Sequence, residues 1–274
     1  MAKKIFVGND NNIAKTPSKI LVGNSSNIAR KVTNIFVGNS SNQAVRVYPN
    51  SHGLPSAFQE CEYIFNSGGT QYINLDFKAS SDTSISMDVV FTKKLPSSGS
   101  FRNNLMFGVY QQLRTSDGYM YFKSTYCMYG SYGSANYIYL YFGGNGTQGS
   151  SHDTFSTTIQ INKHYVIEMK NKHFLVNGND KGSSTKTFSN TSANMLIFGG
   201  NLSEENQGFQ IVKMQEGMQL YHFRAQAYDG TLIRDMYPCY MKSDSLIVGM
   251  YDLVSTTFYG NSGTGYFDKG PNVG

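Results

Sequence analysis

His164-Tyr165-Val166-Ile167-Glu168-Met169 and His173-Phe174-Leu175-Val176-Asn177-Gly178 stand on either side of Lys170-Asn171-Lys172. Each run is rich in β-branched and aromatic residues, which fit a pleated, half-buried surface. The polar triplet between them is turn-like, so the pair reads as a β-hairpin. Runs of the same kind recur outward in both directions: Gln71–Leu75, Ser84–Phe91, Asn104–Tyr110, Tyr137–Phe142, Thr157–Ile161, Asn194–Gly199 and Met218–Phe223. Turn clusters separate them, and no window of eleven or more residues carries a helical period. Many short strands at close spacing predict an all-β chain, with two antiparallel sheets packed as a sandwich.

Composition agrees with that reading. The 274 residues include 20 Tyr, 18 Phe and no Trp, while hydrophobic residues make up only 39%. Aromatic bulk therefore supplies much of the core, and 28 Gly serve the turns. Net charge is +5, with basic residues partly gathered at Lys3, Lys4, Lys15, Lys19, Arg30 and Lys31. This is too mild and too scattered for a nucleic-acid stripe, so no nucleic-acid partner is expected. Cys61, Cys127 and Cys239 are far apart, form no CxxC pair and read as buried small hydrophobes. The first residues, MAKKIFVGND, show no signal peptide, and no run approaches the roughly 18 apolar residues of a membrane-spanning helix. Synthesis in a cytoplasm without membrane insertion is the expectation.

The first 48 residues hold one unit three times: KKIFVGNDNNIAKTP, KILVGNSSNIARKV and NIFVGNSSNQAVRV. Val7-Gly8, Val22-Gly23 and Val37-Gly38 recur every 15 residues, followed in phase by Asn9, Asn24 and Asn39. Repetition of this many positions is not chance. Each unit reads as a hairpin whose Gly-Asn-x-x-Asn segment turns the chain. A lone hairpin is marginal in water, so the hairpins must stack on one another or on other chains. Residues 1–48 are thus expected to form an attachment or oligomerisation module. Pro49, Gly53 and Pro55 mark a linker over 49–55, and residues 56–274 form the sandwich.

Candidate chemistry is sparse. A glycan hydrolase needs two facing carboxylates, about 5 Å or about 6.5–9.5 Å apart. The only Glu-x-Glu, Glu60-Cys61-Glu62, precedes the predicted core strands, and Glu204-Glu205 falls in a polar loop. His52, His152, His164, His173 and His222 show no metal-ligand spacing, and His164 and His173 read as solvent-facing loop residues. No Asp-x-Asp-x-Asp loop is readable, which leaves Asp76, Asp88 and Asp153 as weak calcium candidates. Neither a metal nor a cofactor is expected, and the chain is read as non-enzymatic.

Tyrosine is the informative residue. Tyr119, Tyr121, Tyr126, Tyr129, Tyr132, Tyr137, Tyr139 and Tyr141 fall within 23 residues, interleaved with Gly and Ser. Tyr offers broad, rigid contact area with a polar tip. Tyr137, Tyr139 and Tyr141 are expected on one face of a strand. Tyr126, Tyr129 and Tyr132 are placed in loops, as ligand-contacting candidates.

Three stretches carry a family resemblance: Tyr72–Asp76 leading into Ile85–Phe91, the hairpin Tyr165–Met169 with Phe174–Gly178, and Leu196–Gly200 followed by Met218–Ala225. Over residues 56 to 260 their order resembles the concanavalin A-like, or laminin-G-like, jelly roll of lectins and glucanases. The tail, Asp229–Asp235 through Gly249–Val254 to Gly270-Pro271, is similar to laminin-G-like proteins of phages and prophages. The N-terminal units resemble short hairpin repeats of phage tail and virion structural proteins. What the resemblance implies is a virion location and other virion proteins as partners. It also implies a homo-oligomer, a trimer being favoured, and a host-surface glycan bound by the jelly roll. A purely structural head-fibre or decoration protein is the alternative, and a wall-degrading hydrolase a third.

Overall fold

The computed structural model describes residues 21–23, 29–31, 35–38, 44–48, 52–94, 104–114, 120–132, 135–144, 152–203 and 208–273. Side chains are described from His52 onward, apart from those of residues 120, 121, 131, 132 and 152. The chain divides into two compact units, one over Met1–Ser51 and one over His52–Val273. Every regular element among the described residues is a strand.

In the first unit, β1 (Leu21–Gly23) pairs antiparallel with β2 (Ala29–Lys31), setting Gly23 opposite Ala29. Likewise β3 (Ile35–Gly38) pairs with β4 (Ala44–Tyr48), setting Gly38 opposite Ala44. Val22, Gly23, Val37 and Gly38 therefore lie on the first strands of two antiparallel strand pairs one repeat apart. Val7 and Gly8, in the first repeat, lie outside the described residues.

The second unit is a sandwich of two large sheets. One has eight strands, with β12 (His152–Ile159), β11 (Ala135–Gly143), β10 (Met120–Tyr132) and β9 (Leu105–Arg114) side by side in that order. Beyond β9 come β16 (Leu196–Ile197) and β7 (Ile73–Asn74). The other sheet has eleven strands, built around β13 (His164–Lys170), β8 (Ser84–Phe91), β19 (Met218–Gln226), β20 (Leu232–Met241) and β21 (Asp244–Asp252). Pairing is antiparallel throughout, except that β17 (Gly199–Ser203) runs parallel to β9. The arrangement is jelly-roll-like.

Period-two burial explains why these segments are strands. On β8, Ile85, Met87, Val89 and Phe91 are buried while Ser84, Ser86 and Asp88 are not. On β11, Ile138, Leu140 and Phe142 point in, and the residues between them are half-buried. One core fills the space between the sheets. Phe91 of β8 stacks on Tyr129 of β10 with ring centroids 4.2 Å apart. Across the same gap Thr125 Oγ1 donates to Met169 Sδ at 2.9 Å. Phe107, Phe142, Phe174, Phe198 and Phe223 complete the large buried side chains. Cys61, Cys127 and Cys239 are all free thiols and all buried.

Two local geometries hold this frame. Phe198 takes φ +56, breaking β16 from β17. Its N–H donates to Met106 O, and its carbonyl accepts from Met214 N, both at 2.8 Å. Arg234 donates from Nε and Nη2 to Leu75 O at 3.0 and 2.8 Å, with its guanidinium over the Phe77 and Tyr259 rings.

Candidate aromatic binding face

The register of β9, β10, β11 and β12 decides where each tyrosine goes. Thr125, Cys127 and Tyr129 face the core, with Ile138, Leu140 and Phe142 beside them on β11. The even-numbered residues of β10 must then face outward. Tyr126 pairs with Tyr141 on one side and Gly108 on the other. Tyr139 pairs with Met128, and Tyr137 with Gly130. Further along the same rows, Tyr141, Tyr139 and Tyr137 face Thr154, Ser156 and Thr158 of β12.

The outward rings form one continuous ribbon. Phe122 lies 5.6 Å from Tyr110, and Tyr110 meets Tyr126 edge-on at 5.9 Å. Tyr126 stacks on Tyr141 at 4.8 Å with only 7° between the ring planes. From there the chain runs to Tyr139 at 6.4 Å and on to Tyr137 at 5.7 Å. Cross-strand aromatic pairing of this kind stabilises the sheet by about 0.5–1.5 kcal/mol per pair beyond area burial. Gly108 makes the closest approach possible: a Cβ there would lie 2.2 Å from Tyr126 Cβ. Burial, then the neighbouring Tyr139, pushes the Tyr141 phenol up.

This geometry corrects part of the sequence reading. The segment carrying Tyr126, Tyr129 and Tyr132 is no loop but a 13-residue strand. Tyr129 is an odd number of residues from Tyr126, so it takes the opposite face, 1% exposed in the core. Its Oη donates to the Lys93 carbonyl at 2.8 Å. Burial raises its phenol to about 12. Tyr129 is a core residue and no ligand contact. Tyr132 pairs with Ala135 at the strand end, and its side chain lies outside the described residues, as does Tyr119. Tyr137, Tyr139 and Tyr141 do share one strand face. Tyr110 and Phe122 belong to the same ribbon but were not signalled, since neither register nor strand length is visible in composition.

The eleven-stranded sheet carries a second polar and aromatic group. His52 Nδ1–H donates to Glu60 Oε1 at 2.5 Å, and its backbone N–H donates to Glu60 Oε2 at 2.7 Å. The His52 ring stacks on Tyr237 at 3.6 Å, and Tyr237 in turn stacks on His222 at 4.6 Å. His222 Nε2–H donates to Asp235 Oδ1 at 2.7 Å. Nearby, the Tyr221 phenol is pushed up by burial first, then by Tyr63, Glu62 and Asp88. His164 and His173 are exposed, as expected, but sit at strand ends rather than in loops. They bond Asp88 and Asp180 at 3.2 and 2.7 Å.

The weak calcium candidates each have a separate engagement. Asp88 holds His164, Asp153 accepts from Ser184 Oγ at 2.6 Å, and Asp76 accepts from Asn194 Nδ2 at 3.2 Å. Among the described residues no three His, Cys, Asp or Glu side chains gather as a metal-binding group. In the Glu60-x-Glu62 pair, Glu60 is 5% exposed and held by His52, whereas Glu62 is exposed. Glu204 and Glu205 lie outside the described residues. No family model, curated protein or solved structure matches this chain.

Proposed function

We propose that this chain is a non-catalytic virion appendage protein of a phage or prophage. Its N-terminal repeats attach it to other virion proteins and assemble it into an oligomer, and its sandwich binds host-surface glycan. The observation carrying the binding half is the six-ring ribbon on the outer face of the eight-stranded sheet, with Tyr126 stacked on Tyr141 at its centre. Half-buried tyrosine rings offer rigid apolar surface to pack against sugar C–H groups, and their hydroxyls bond the sugar edges. The Thr154, Ser156 and Thr158 row alongside adds further donors and acceptors. A single such site is weak, and several copies on one particle raise the avidity.

The test uses labelled full-length protein and bacterial cells, with their surface polysaccharide intact or stripped. Staining of intact cells, loss of staining on stripping, and loss with Tyr126→Ala/Tyr141→Ala are expected. Equal staining of stripped cells, or full staining by the double variant, would overturn the proposal. Released oligosaccharide would contradict the non-catalytic reading.

A further inference from the structure

Ser124 lies in the floor of the aromatic ribbon, at its Phe122–Tyr110–Tyr126 end. It is the outward neighbour of the inward-facing Thr125, and it pairs with Tyr110 on β9 and Gly143 on β11. Phe122 and Tyr126, two residues away on each side, share its face. Three aromatic rings therefore surround it, and it is 0% exposed. Its Oγ is buried with no hydrogen-bond partner. Buried hydroxyls are nearly always paired, and an orphan destabilises the fold that contains it. An unsatisfied hydroxyl under a ring platform is a cost to the unliganded protein that a ligand can remove.

The rows around it are equally specific about charge. Gly108, Tyr126, Tyr141 and Thr154 make one row, and Met128, Tyr139 and Ser156 the next. No described side chain in these two rows carries a formal charge, and the exposed Arg114 on the same face of β9 lies beyond Gln112, past the Phe122 end of the ribbon. An anionic or cationic ligand laid there would lose hydration and meet no counter-charge. A polyhydroxylated neutral ligand loses little and gains both ring faces and hydroxyl partners.

We propose that the ribbon takes an uncharged polysaccharide and that Ser124 Oγ is a direct ligand contact, reached when the Tyr110 ring turns aside. This rests on the glycan-binding reading above and names the class of glycan and a specificity residue within it. Ser124 Oγ gains a hydrogen bond with a sugar hydroxyl, and no covalent step is involved.

Affinity electrophoresis of the full-length chain tests the inference. The gels contain a neutral β-glucan, galactomannan or rhamnan, or anionic alginate or polygalacturonate. Retardation by a neutral polymer is expected, unchanged between roughly 50 and 500 mM salt because no ion pair is made. Ser124→Ala is expected to weaken that retardation about fivefold, the effect of one neutral hydrogen bond. The same variant should melt at or above the wild-type temperature, since it removes an orphan. A merely structural serine predicts the opposite: lower melting temperature and unchanged retardation. Retardation by anionic polymers alone, or undiminished binding by Ser124→Ala, overturns this inference while leaving the glycan reading intact. No retention by any polymer, together with no staining of intact cells, overturns both.

Discussion

At the scale of single residues, parity along a strand separates the outer face from the core. Tyr126 and Tyr129 are three positions apart, so one ring joins the outer ribbon and the other stacks on Phe91. Tyr129→Phe keeps the ring but leaves the Lys93 carbonyl without its donor. A loss of about 1 kcal/mol in denaturant unfolding is expected, with glycan binding unchanged. Tyr129→Ala opens a cavity and is expected to cost about 3–5 kcal/mol. The eight-tyrosine cluster was legible in the sequence, and so was the shared face of Tyr137, Tyr139 and Tyr141. The assignment of Tyr126, Tyr129 and Tyr132 to loops failed because Gly and Ser between tyrosines look like turn chemistry. Here Gly130 serves the strand, leaving room opposite Tyr137. Ser124 had no signal at all, because an orphaned hydroxyl exists only once neighbouring strands are in register.

Among the elements, hairpins with alternating or β-rich patterns were readable and long irregular strands were not. β8 begins and ends where its sequence run does, and β13 with β14 (His173–Val176) forms the hairpin expected between residues 164 and 178. By contrast β10 extends through a segment read as loops, since its pairing with both β9 and β11 outweighs weak local propensity. Two glycine substitutions separate backbone strain alone from backbone strain combined with close packing. Gly178, after Asn177, closes the turn from β14 into β15 (Asn179–Ser183) with φ +74 and nothing near its missing Cβ. Gly178→Ala is expected to cost about 1–2 kcal/mol, the strain of a left-handed residue, and to leave binding intact. Gly108→Ala forces a methyl against Tyr126 Cβ and must part β9 from β10. It should lower the melting temperature more than Gly178→Ala and abolish glycan retention as well.

Across the whole molecule, charge and burial divide the labour. Residues 1–51 hold seven Lys or Arg and one Asp, a net +6, against +5 for the chain, so residues 52–274 carry −1. Under the proposed function the repeats are the assembly module. Light scattering should therefore give an oligomer for the full chain and a smaller species for a chain starting at His52. Equal masses per chain would place assembly in the sandwich instead. The same burial that builds the core sets its response to alkali. Cys61 is raised from 9.0 to about 12 by burial, and Cys127 and Cys239 are pushed further up by the same cause. Unfolded thiols ionise near 9 while the folded ones stay protonated, so folding stability falls as pH rises from about 9 towards 12. Native protein should also leave all three thiols unreactive to a disulfide reagent, and unfolding should release three. Under the proposed function the outer tyrosine ribbon is where this molecule meets a sugar. A crystal structure of the intact chain with an oligosaccharide cut from the retaining polymer tests it most directly. Pyranose rings lying over Tyr126 and Tyr141 are expected, and a sugar seated instead on the opposite sheet beside His222 and Asp235, with the ribbon bare, would rule the ribbon out as the binding face.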